Sequence, residues 1–165
     1  MKKQLSVKTL AMCGMLAALV FVATSFLKLP VSITQGYIHL GDGVILLGAG
    51  LLGPASIPAS ALGSMLADLL GGYTLYCLPT FLIKGATAAV AVWAAKQSCV
   101  WVRVVGLVLA EAVMVAGYFV AEWLFLGYGL AAAAGALLPN AIQGVSGVLL
   151  AIVLWPVLSR VPIKD

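Results

Sequence analysis

The sequence predicts an all-α integral membrane protein, a bundle of six transmembrane helices with both termini in the cytoplasm. Three observations support this fold class. Of 165 residues, 64% are hydrophobic and only 8% are charged, whereas an average soluble domain has about 25% charged residues. The apolar residues form six stretches separated by Gly, Pro and polar residues, and most Lys and Arg residues fall in loops on one side. This composition excludes a soluble domain and also a disordered chain, which requires low hydrophobicity and high charge.

The six predicted spans form one membrane domain over residues 1–165, and they cover residues 8–27, 41–54, 56–70, 80–95, 102–125 and 130–158. A span needs about 20 apolar residues to cross a hydrocarbon core of about 30 Å, so six spans leave only short loops. The first apolar run is longer than the about 7–15 residues of a secretory signal, and we therefore expect it to be retained. Asp42 is predicted to cap the start of the second span.

The positions of the basic residues predict the orientation. With six spans, both termini and the even-numbered loops lie on one side, which collects seven basic residues: Lys2, Lys3, Lys8, Lys96, Arg103, Arg160 and Lys164. The other side collects only Lys28, and Lys84 lies inside the fourth span. Because positive charge marks the cytoplasmic side, both termini are predicted to be cytoplasmic. The net charge of +4 therefore reflects membrane insertion, and no nucleic-acid partner is predicted.

Four ionisable residues inside the predicted spans are candidates for a functional role, because such residues are costly there and commonly functional: Asp68, Lys84, Glu111 and Glu122. The short loop between the third and fourth spans predicts an ion pair between Asp68 and Lys84, which could be structural or linked to a ligand. Glu122 lies at a depth similar to that of Lys84 and has no obvious basic partner, so it could bind a ligand or reach back to the membrane surface. The role of Glu111 stays open.

The outer loops and the outer ends of the spans predict an outward-facing pocket with aromatic walls and a few polar anchors. Its candidate residues are Gln35, Tyr37, His39, Tyr73, Tyr76, Lys84, Glu122, Trp123, Asn140 and Gln143. Two alternatives stay open, because aromatic residues also form the interfacial belt of membrane proteins and amides also join neighbouring helices.

Several functions are not supported by any motif. The chain has one His, no paired Cys motif and no nucleotide-binding P-loop, so neither a metal site, a cofactor nor ATP hydrolysis by this chain is predicted. No acid, base and nucleophile can be assembled into a catalytic site, and an enzyme is therefore not predicted. The cysteines Cys13, Cys77 and Cys99 are expected to be unpaired.

Four motifs in the first half of the chain resemble one family: YIHLGD at 37–42, LLGP at 51–54, GSxLADLLxGY at 63–73 and PTFLIKG at 79–85. They resemble the substrate-binding S components of energy-coupling factor (ECF) vitamin transporters, and most closely the group that includes riboflavin, hydroxymethylpyrimidine and pyridoxine carriers. The resemblance covers most of residues 1–97, whereas the fifth and sixth spans match only in hydrophobicity and length.

The resemblance implies a protein that captures a vitamin or precursor at the outer face of the cell membrane. Such a protein then associates with a transmembrane coupling subunit and two cytoplasmic ATPases, which drive uptake. The family's coupling motif, two Ala four residues apart, falls on Gly14 and Ala18, where Gly is a departure that keeps the surface small. The spacing alone favours packing inside the bundle, and docking to another membrane subunit is the alternative.

The predicted ligand is a small water-soluble ring compound. A carboxylate beside two amides suits hydroxymethylpyrimidine or a vitamin B6-like molecule first and riboflavin next, with the aromatic residues covering the ring and the first loop acting as a lid. The alternative functions are an autonomous small channel or secondary transporter, which would need no ATPases, and a purely structural membrane subunit, which would have no pocket.

Overall fold

The computed structural model describes residues 6–26, 28–31, 36–158 and 160. These residues form six α-helices: α1 (Val7–Phe26), α2 (Gly41–Leu52), α3 (Ser56–Leu70), α4 (Cys77–Ala95), α5 (Val100–Val120) and α6 (Gly129–Leu158). A short antiparallel hairpin of β1 (Leu29–Val31) and β2 (Gly36–Ile38) joins α1 to α2. The predicted all-α class is confirmed, and the hairpin lies between the first two predicted spans.

The chain reverses direction between α2 and α3. Along α2, Gly41 lies against Thr24 and Gly48 lies against Leu16, so α2 runs antiparallel to α1. The connection Gly53–Ala55 is one turn of 3-10 helix, and it begins at a glycine with a φ of 55°. A positive φ is a conformation that glycine adopts without strain, which explains a sharp turn at this point.

Helix α3 then returns alongside α1 in the parallel direction. The Cys13 thiol donates to the carbonyl of Ala55 at the start of α3, and the Lys28 ammonium donates to the carbonyl of Ala67 near its end. Between these points, the Gly63 backbone packs directly against the main chain of Ala17. A side chain at residue 63 would therefore separate the two helices.

Five helical stretches of the described chain are long and apolar enough to cross a membrane: Val7–Phe26, Gly41–Leu70, Thr74–Ala95, Val100–Phe125 and Gly129–Leu158. Helices α2 and α3 fall together in the stretch Gly41–Leu70, although the chain reverses direction between them. Taken singly, their 12 and 15 residues rise only about 18 and 22 Å. The chain is thus a multi-pass membrane protein. The predicted count of six crossings and the cytoplasmic termini stay predictions.

The six helices alternate in direction, so that α1, α3 and α5 end where α2, α4 and α6 begin. We call this end of the bundle, which contains Thr24, Asp68, Thr80 and Glu122, the pocket end, and the other the scaffold end. The largest apolar cluster lies at the scaffold end, where Leu46, Val92, Leu107 and Val148 are buried together. The pocket end instead buries mostly polar side chains.

The predicted helix cap at Asp42 is wrong. The residue that precedes the first turn of α2 is Leu40, and Asp42 lies inside that turn with its side chain fully buried. The first free N–H of the helix, that of Gly41, is instead accepted by Nδ1 of His39 at 3.0 Å. The Asp42 carboxylate is therefore free to serve another partner.

Candidate ligand-binding pocket

A small polar cavity lies at the pocket end, between the helix ends and the hairpin. Its lining comes from five helices and the two loops that close it, and it consists of Thr24, Tyr37, His39, Ser64, Asp68, Tyr76, Thr80, Tyr118, Glu122, Ala136 and Asn140. The cavity volume is about 30 Å³, which is room for one or two water molecules. Ten polar or aromatic side chains around one cavity in an apolar bundle favour a polar ligand.

The hairpin is fastened to the end of α3. The Tyr37 hydroxyl donates to Oδ1 of Asp68 at 2.6 Å, and the Tyr37 ring packs against that of Tyr73 at 4.7 Å. The Lys28 ammonium lies 4.2 Å from the Tyr37 ring centroid. Burial, followed by the charge of Asp68, raises the pKa of Tyr37, so the phenol keeps its proton and remains the donor. Oδ2 of Asp68 is buried and accepts no hydrogen bond from the described residues.

The opposite wall of the cavity is built by the end of α5. After Val120 the helix widens into a π turn, Ala121–Phe125, a feature that is frequent at functional sites. The turn directs Glu122 inward, with 2% of its surface exposed, while Leu124 and Phe125 face outward. The Tyr76 hydroxyl donates to Oε1 of Glu122 at 3.1 Å. Glu122 therefore lines the cavity and does not reach back to the membrane surface.

Tyr118 and Thr80 close the cavity between the two carboxylates. Their hydroxyl oxygens are 3.0 Å apart, which joins the end of α5 to the start of α4. Both hydroxyls can donate and accept, so they can adjust to a ligand group without leaving a polar atom unpaired. Asn140 of α6 is also buried at this wall.

A fully buried ion pair lies beneath the cavity. The Lys84 ammonium donates to Oδ1 of Asp42 at 2.5 Å, and both side chains have no exposed surface. The Gln143 amide donates to Oδ2 of Asp42 at 2.6 Å, and its carbonyl accepts the main-chain N–H of His39 at 2.9 Å. Both carboxylate oxygens are thus satisfied, as a buried charge requires. We call Asp42, Lys84, Gln143 and His39 the buried network.

The predicted ion pair between Asp68 and Lys84 is wrong. Lys84 pairs with Asp42, and Asp68 instead accepts the Tyr37 hydroxyl. The physical reason is the position of α2, which packs against α4 and places Asp42 level with Lys84. The short separation of Asp68 and Lys84 along the sequence does not indicate that α2 packs against α4 from another side.

His39 is a structural hydrogen-bond acceptor in this arrangement. Because Nδ1 accepts the Gly41 N–H, the proton of the neutral ring is assigned to Nε2. Burial, followed by the nearby Lys84 charge, lowers the pKa of His39 to about 3. The ring is therefore neutral at physiological pH. In the part of the chain that the structure describes, no three His, Cys, Asp or Glu side chains are placed to hold a metal ion.

The ten candidate residues fall into five groups. Five of them line the cavity: Tyr37, His39, Tyr76, Glu122 and Asn140. Lys84 and Gln143 lie beneath it in the buried network, and Tyr73 supports Tyr37 from behind. Trp123 is not among the residues that line the cavity: the residue is 41% exposed, and its ring packs against that of Phe119. Gln35 lies outside the described residues.

Sequence reasoning missed six lining residues as parts of the pocket: Thr24, Ser64, Asp68, Thr80, Tyr118 and Ala136. A usable signal was present, because polar residues four apart share one face of a helix. Ser64 and Asp68 form such a pair on α3, and Tyr118 forms one with Glu122.

Gly14 and Ala18 lie on the outer face of α1. Both are exposed, and a Cβ added at residue 14 would have no neighbour within 4 Å. Exposed apolar side chains such as Met15 and Leu19 surround them. This pair of small residues therefore does not contribute to packing inside the bundle, and it leaves a flat surface open to the membrane.

Comparisons with known proteins show the family of this chain and its fold. The sequence profile of the ECF-type riboflavin transporter S component family matches residues 4–160. An uncharacterised protein encoded in a gap 3' region of Pyrococcus woesei is 35% identical over 133 residues, which cover 79% of this chain and 88% of that protein. A solved structure described as the S component of a bacterial ECF transporter superposes with a TM-score of 0.73 at 24% identity, covering 93% of this chain and 96% of that one. At this identity the structural likeness shows the fold.

Proposed function

The chain belongs to the ECF-type riboflavin transporter S component family, whose members are vitamin-binding transport subunits and not enzymes, and on this basis we propose that it captures a small vitamin or vitamin precursor in the cavity at the pocket end. The observation that carries this proposal is the polar lining of that cavity. A bundle with this apolar composition has no structural need to gather ten polar or aromatic side chains at one end, since each buried polar group destabilises the fold unless it is paired.

The lining indicates the chemistry of the ligand. The carboxylates of Asp68 and Glu122 only accept hydrogen bonds when ionised, whereas the Asn140 amide both donates and accepts. A matching ligand presents two or more donors and one acceptor around a ring that the tyrosines can cover. An aminopyrimidine such as hydroxymethylpyrimidine, or a vitamin B6-like hydroxypyridine, fits this description. Riboflavin is the second candidate, because its larger ring system requires much more widening of a cavity of about 30 Å³.

We propose that the pocket faces the outside of the cell and that the chain crosses the membrane six times, with both termini cytoplasmic. The reversal of direction between α2 and α3 supports six crossings. The first described helix begins at the scaffold end and the last one ends there. Four basic residues of the described chain also lie at that end: Lys8, Lys96, Arg103 and Arg160. The predicted residues Lys2, Lys3 and Lys164 lie outside the described residues.

The partners proposed for this chain are a transmembrane coupling subunit and two cytoplasmic ATPases. The outer face of α1 around Gly14 and Ala18 supports this assignment, because small residues allow the close approach of another membrane helix. Since this chain contains no nucleotide-binding motif, the energy for release of the ligand must come from another subunit. Flux into liposomes containing this protein alone would instead identify an autonomous channel or transporter.

Calorimetric titration of the purified full chain with hydroxymethylpyrimidine, pyridoxine and riboflavin tests the proposal. One ligand should bind at a ratio of one to one, and Asn140→Ala and Glu122→Gln should each weaken it about 10- to 100-fold, as expected for a buried hydrogen bond to a charged group. Trp123→Phe is the matched control, because this ring lies outside the cavity, and it should leave the affinity unchanged. Equal affinities for all four proteins would refute the proposed site.

A further inference from the structure

A second and larger cavity lies on the outer surface of the bundle, between α5 and α6. It follows α5 from Val108 to Phe119 and α6 from Leu137 to Leu149, and its volume is about 580 Å³, within the usual range for small-molecule sites. We call it the α5–α6 groove. Twelve residues line it, and Glu111 is the one residue among them that is neither apolar nor glycine. Because these helices face the membrane here, the groove opens toward the lipid.

Glu111 lies at the floor of this groove with its hydrogen-bonding capacity unused. Its side chain is 4% exposed, and both carboxyl oxygens are buried without a hydrogen-bond partner among the described residues. The nearest buried charges, those of Asp42 and Lys84, already satisfy one another. A buried polar group without a partner destabilises a fold, and this carboxyl has no role in the pocket described above.

The groove is shaped around this carboxyl. A Cβ added at Gly144 would lie 3.0 Å from Cβ and 3.3 Å from Oε2 of Glu111, so a glycine on the facing helix provides the space that the carboxyl occupies. The apolar lining continues along α5 for eight residues from Glu111 to Phe119, a distance of about 12 Å at 1.5 Å per residue. In the other direction the lining is shorter, with three residues to Val108 on α5 and five residues from Gly144 to Leu149 on α6.

We propose that the α5–α6 groove binds a membrane-dissolved amphiphile that has a single apolar chain and a terminal amine. The amine donates to the Glu111 carboxyl, and the chain lies along the apolar part of the groove toward Phe119. Charge complementarity selects this occupant, because the one polar side chain that lines the groove is the acid Glu111. An acid and an amine form a charge-assisted hydrogen bond, which an apolar environment strengthens. An acyl chain alone would leave Glu111 unsatisfied. The site is independent of the ligand in the vitamin pocket.

The test uses the full chain in phosphatidylcholine nanodiscs titrated with dodecylamine, with native mass spectrometry to count bound molecules. One dodecylamine should bind per protein, at least tenfold more tightly than dodecanol or dodecanoate. Glu111→Gln, which keeps the shape of the side chain, should weaken binding at least tenfold, and so should Ala141→Leu, which fills the groove. Ser146→Ala is the matched control, because Ser146 of α6 is not among the residues that line the groove and its hydroxyl donates to the Ile142 carbonyl of the same helix, and it should bind like the parent protein.

Three results would overturn the proposal: no saturable binding of dodecylamine, equal binding of the amine and the carboxylate, or unchanged binding by Glu111→Gln. The midpoint of thermal unfolding, measured for each variant, separates loss of the site from loss of the fold. If Glu111→Gln is too unstable to study, Ala141→Leu and the comparison of the three amphiphiles still decide the question. Binding of hydroxymethylpyrimidine, pyridoxine or riboflavin should be retained by all of these variants, which separates this site from the vitamin pocket.

Discussion

The two ends of the bundle are built from the same helices, yet their interiors differ. At the scaffold end, α2 and α6 bury Leu46 and Val148 in a continuous apolar cluster. At the pocket end, the same two helices bury Asp42, Asn140 and Gln143 among hydrogen-bonding partners. Along both helices, the buried side chains therefore change from apolar at the scaffold end to polar at the pocket end. The scaffold end therefore stabilises the fold through packing, while the pocket end holds polar groups in a geometry that packing alone would not require.

The pocket end is itself divided into two layers. In the buried network both oxygens of Asp42 are satisfied. In the cavity above it, Oδ2 of Asp68 and the hydroxyls of Thr24 and Ser64 have no hydrogen-bond partner among the described residues. A satisfied layer is rigid and fixes the helices, whereas an unsatisfied layer retains capacity for a ligand. Substitutions in the first layer should therefore affect stability, and those in the second should affect binding.

Breaking the buried ion pair should have the largest effect. Lys84→Met leaves the Asp42 carboxylate buried without its cation and should lower the free energy of unfolding by about 3–5 kcal/mol. Denaturant unfolding in detergent measures this loss. The double variant Lys84→Met with Asp42→Asn removes both charges and should recover part of the stability. A single variant as stable as the parent protein would contradict the assignment of this pair.

Truncation of a buried side chain at the scaffold end should lower the stability by a smaller amount and leave the ligand affinity unchanged. Leu46 is fully buried in the apolar cluster, so Leu46→Ala should lower the free energy of unfolding by about 2–5 kcal/mol. The affinity for the vitamin ligand, measured by calorimetry on the folded protein, should stay the same. A large loss of affinity without loss of stability would show that the two ends are not separate in function.

Weakening the fastening of the hairpin should affect binding more than stability. Tyr37→Phe removes the donor and Asp68→Ala removes the acceptor of the hydrogen bond between the hairpin and α3, and each should weaken ligand binding about tenfold or more. Because both remove the same bond, the double variant should be hardly weaker than Asp68→Ala, which also removes a carboxylate proposed to contact the ligand. Additive losses in this double-mutant cycle would mean that the two residues contact the ligand independently.

The pH dependence of stability should also depend on the pocket end, where His39 lies. The pKa of His39 is lowered from its ordinary 6.5 to about 3, so the unfolded chain takes up a proton in a range where the folded protein does not. The resulting stabilisation is fully present above pH 6.5 and is lost as the pH falls toward 3. Between pH 6.5 and 5 the contribution of His39 to the free energy of unfolding should fall by about 1–2 kcal/mol. His39 is the only histidine of the chain, so the difference in free energy of unfolding between the parent protein and His39→Gln should change by this amount over the same range, and a difference that does not vary with pH would contradict a neutral buried ring.

The sequence was sufficient for the features that depend on composition and on local turns. Hydropathy located the helices, Gly127 and Gly129 have the positive φ angles expected of the turn before α6, and the polar residues near the helix ends predicted where the pocket lies. Glu122 was singled out because a carboxylate at that depth needs a polar environment, and it does line the cavity.

The features that depend on packing between helices could not be predicted. Lys84 had a nearby carboxylate along the sequence in Asp68, and its true partner was settled only by the position of α2. The direction of Trp123, by contrast, follows from spacing, because Trp123 comes directly after Glu122, which lines the cavity, and neighbouring residues of a helix do not share a face. The pairing of Lys84 leaves no such signal in hydropathy or spacing, because it arises from a contact between distant segments.

The most direct test of the account is mass spectrometry of the small molecules released from three proteins purified side by side: the parent protein, Leu46→Ala and Asp68→Asn. Each is incubated with an equimolar mixture of hydroxymethylpyrimidine, pyridoxine and riboflavin and then separated from free ligand. We predict near-stoichiometric release of one compound from the parent protein and from Leu46→Ala, and little from Asp68→Asn. Equal release from all three proteins, or none from the parent protein, would contradict a vitamin site at the pocket end.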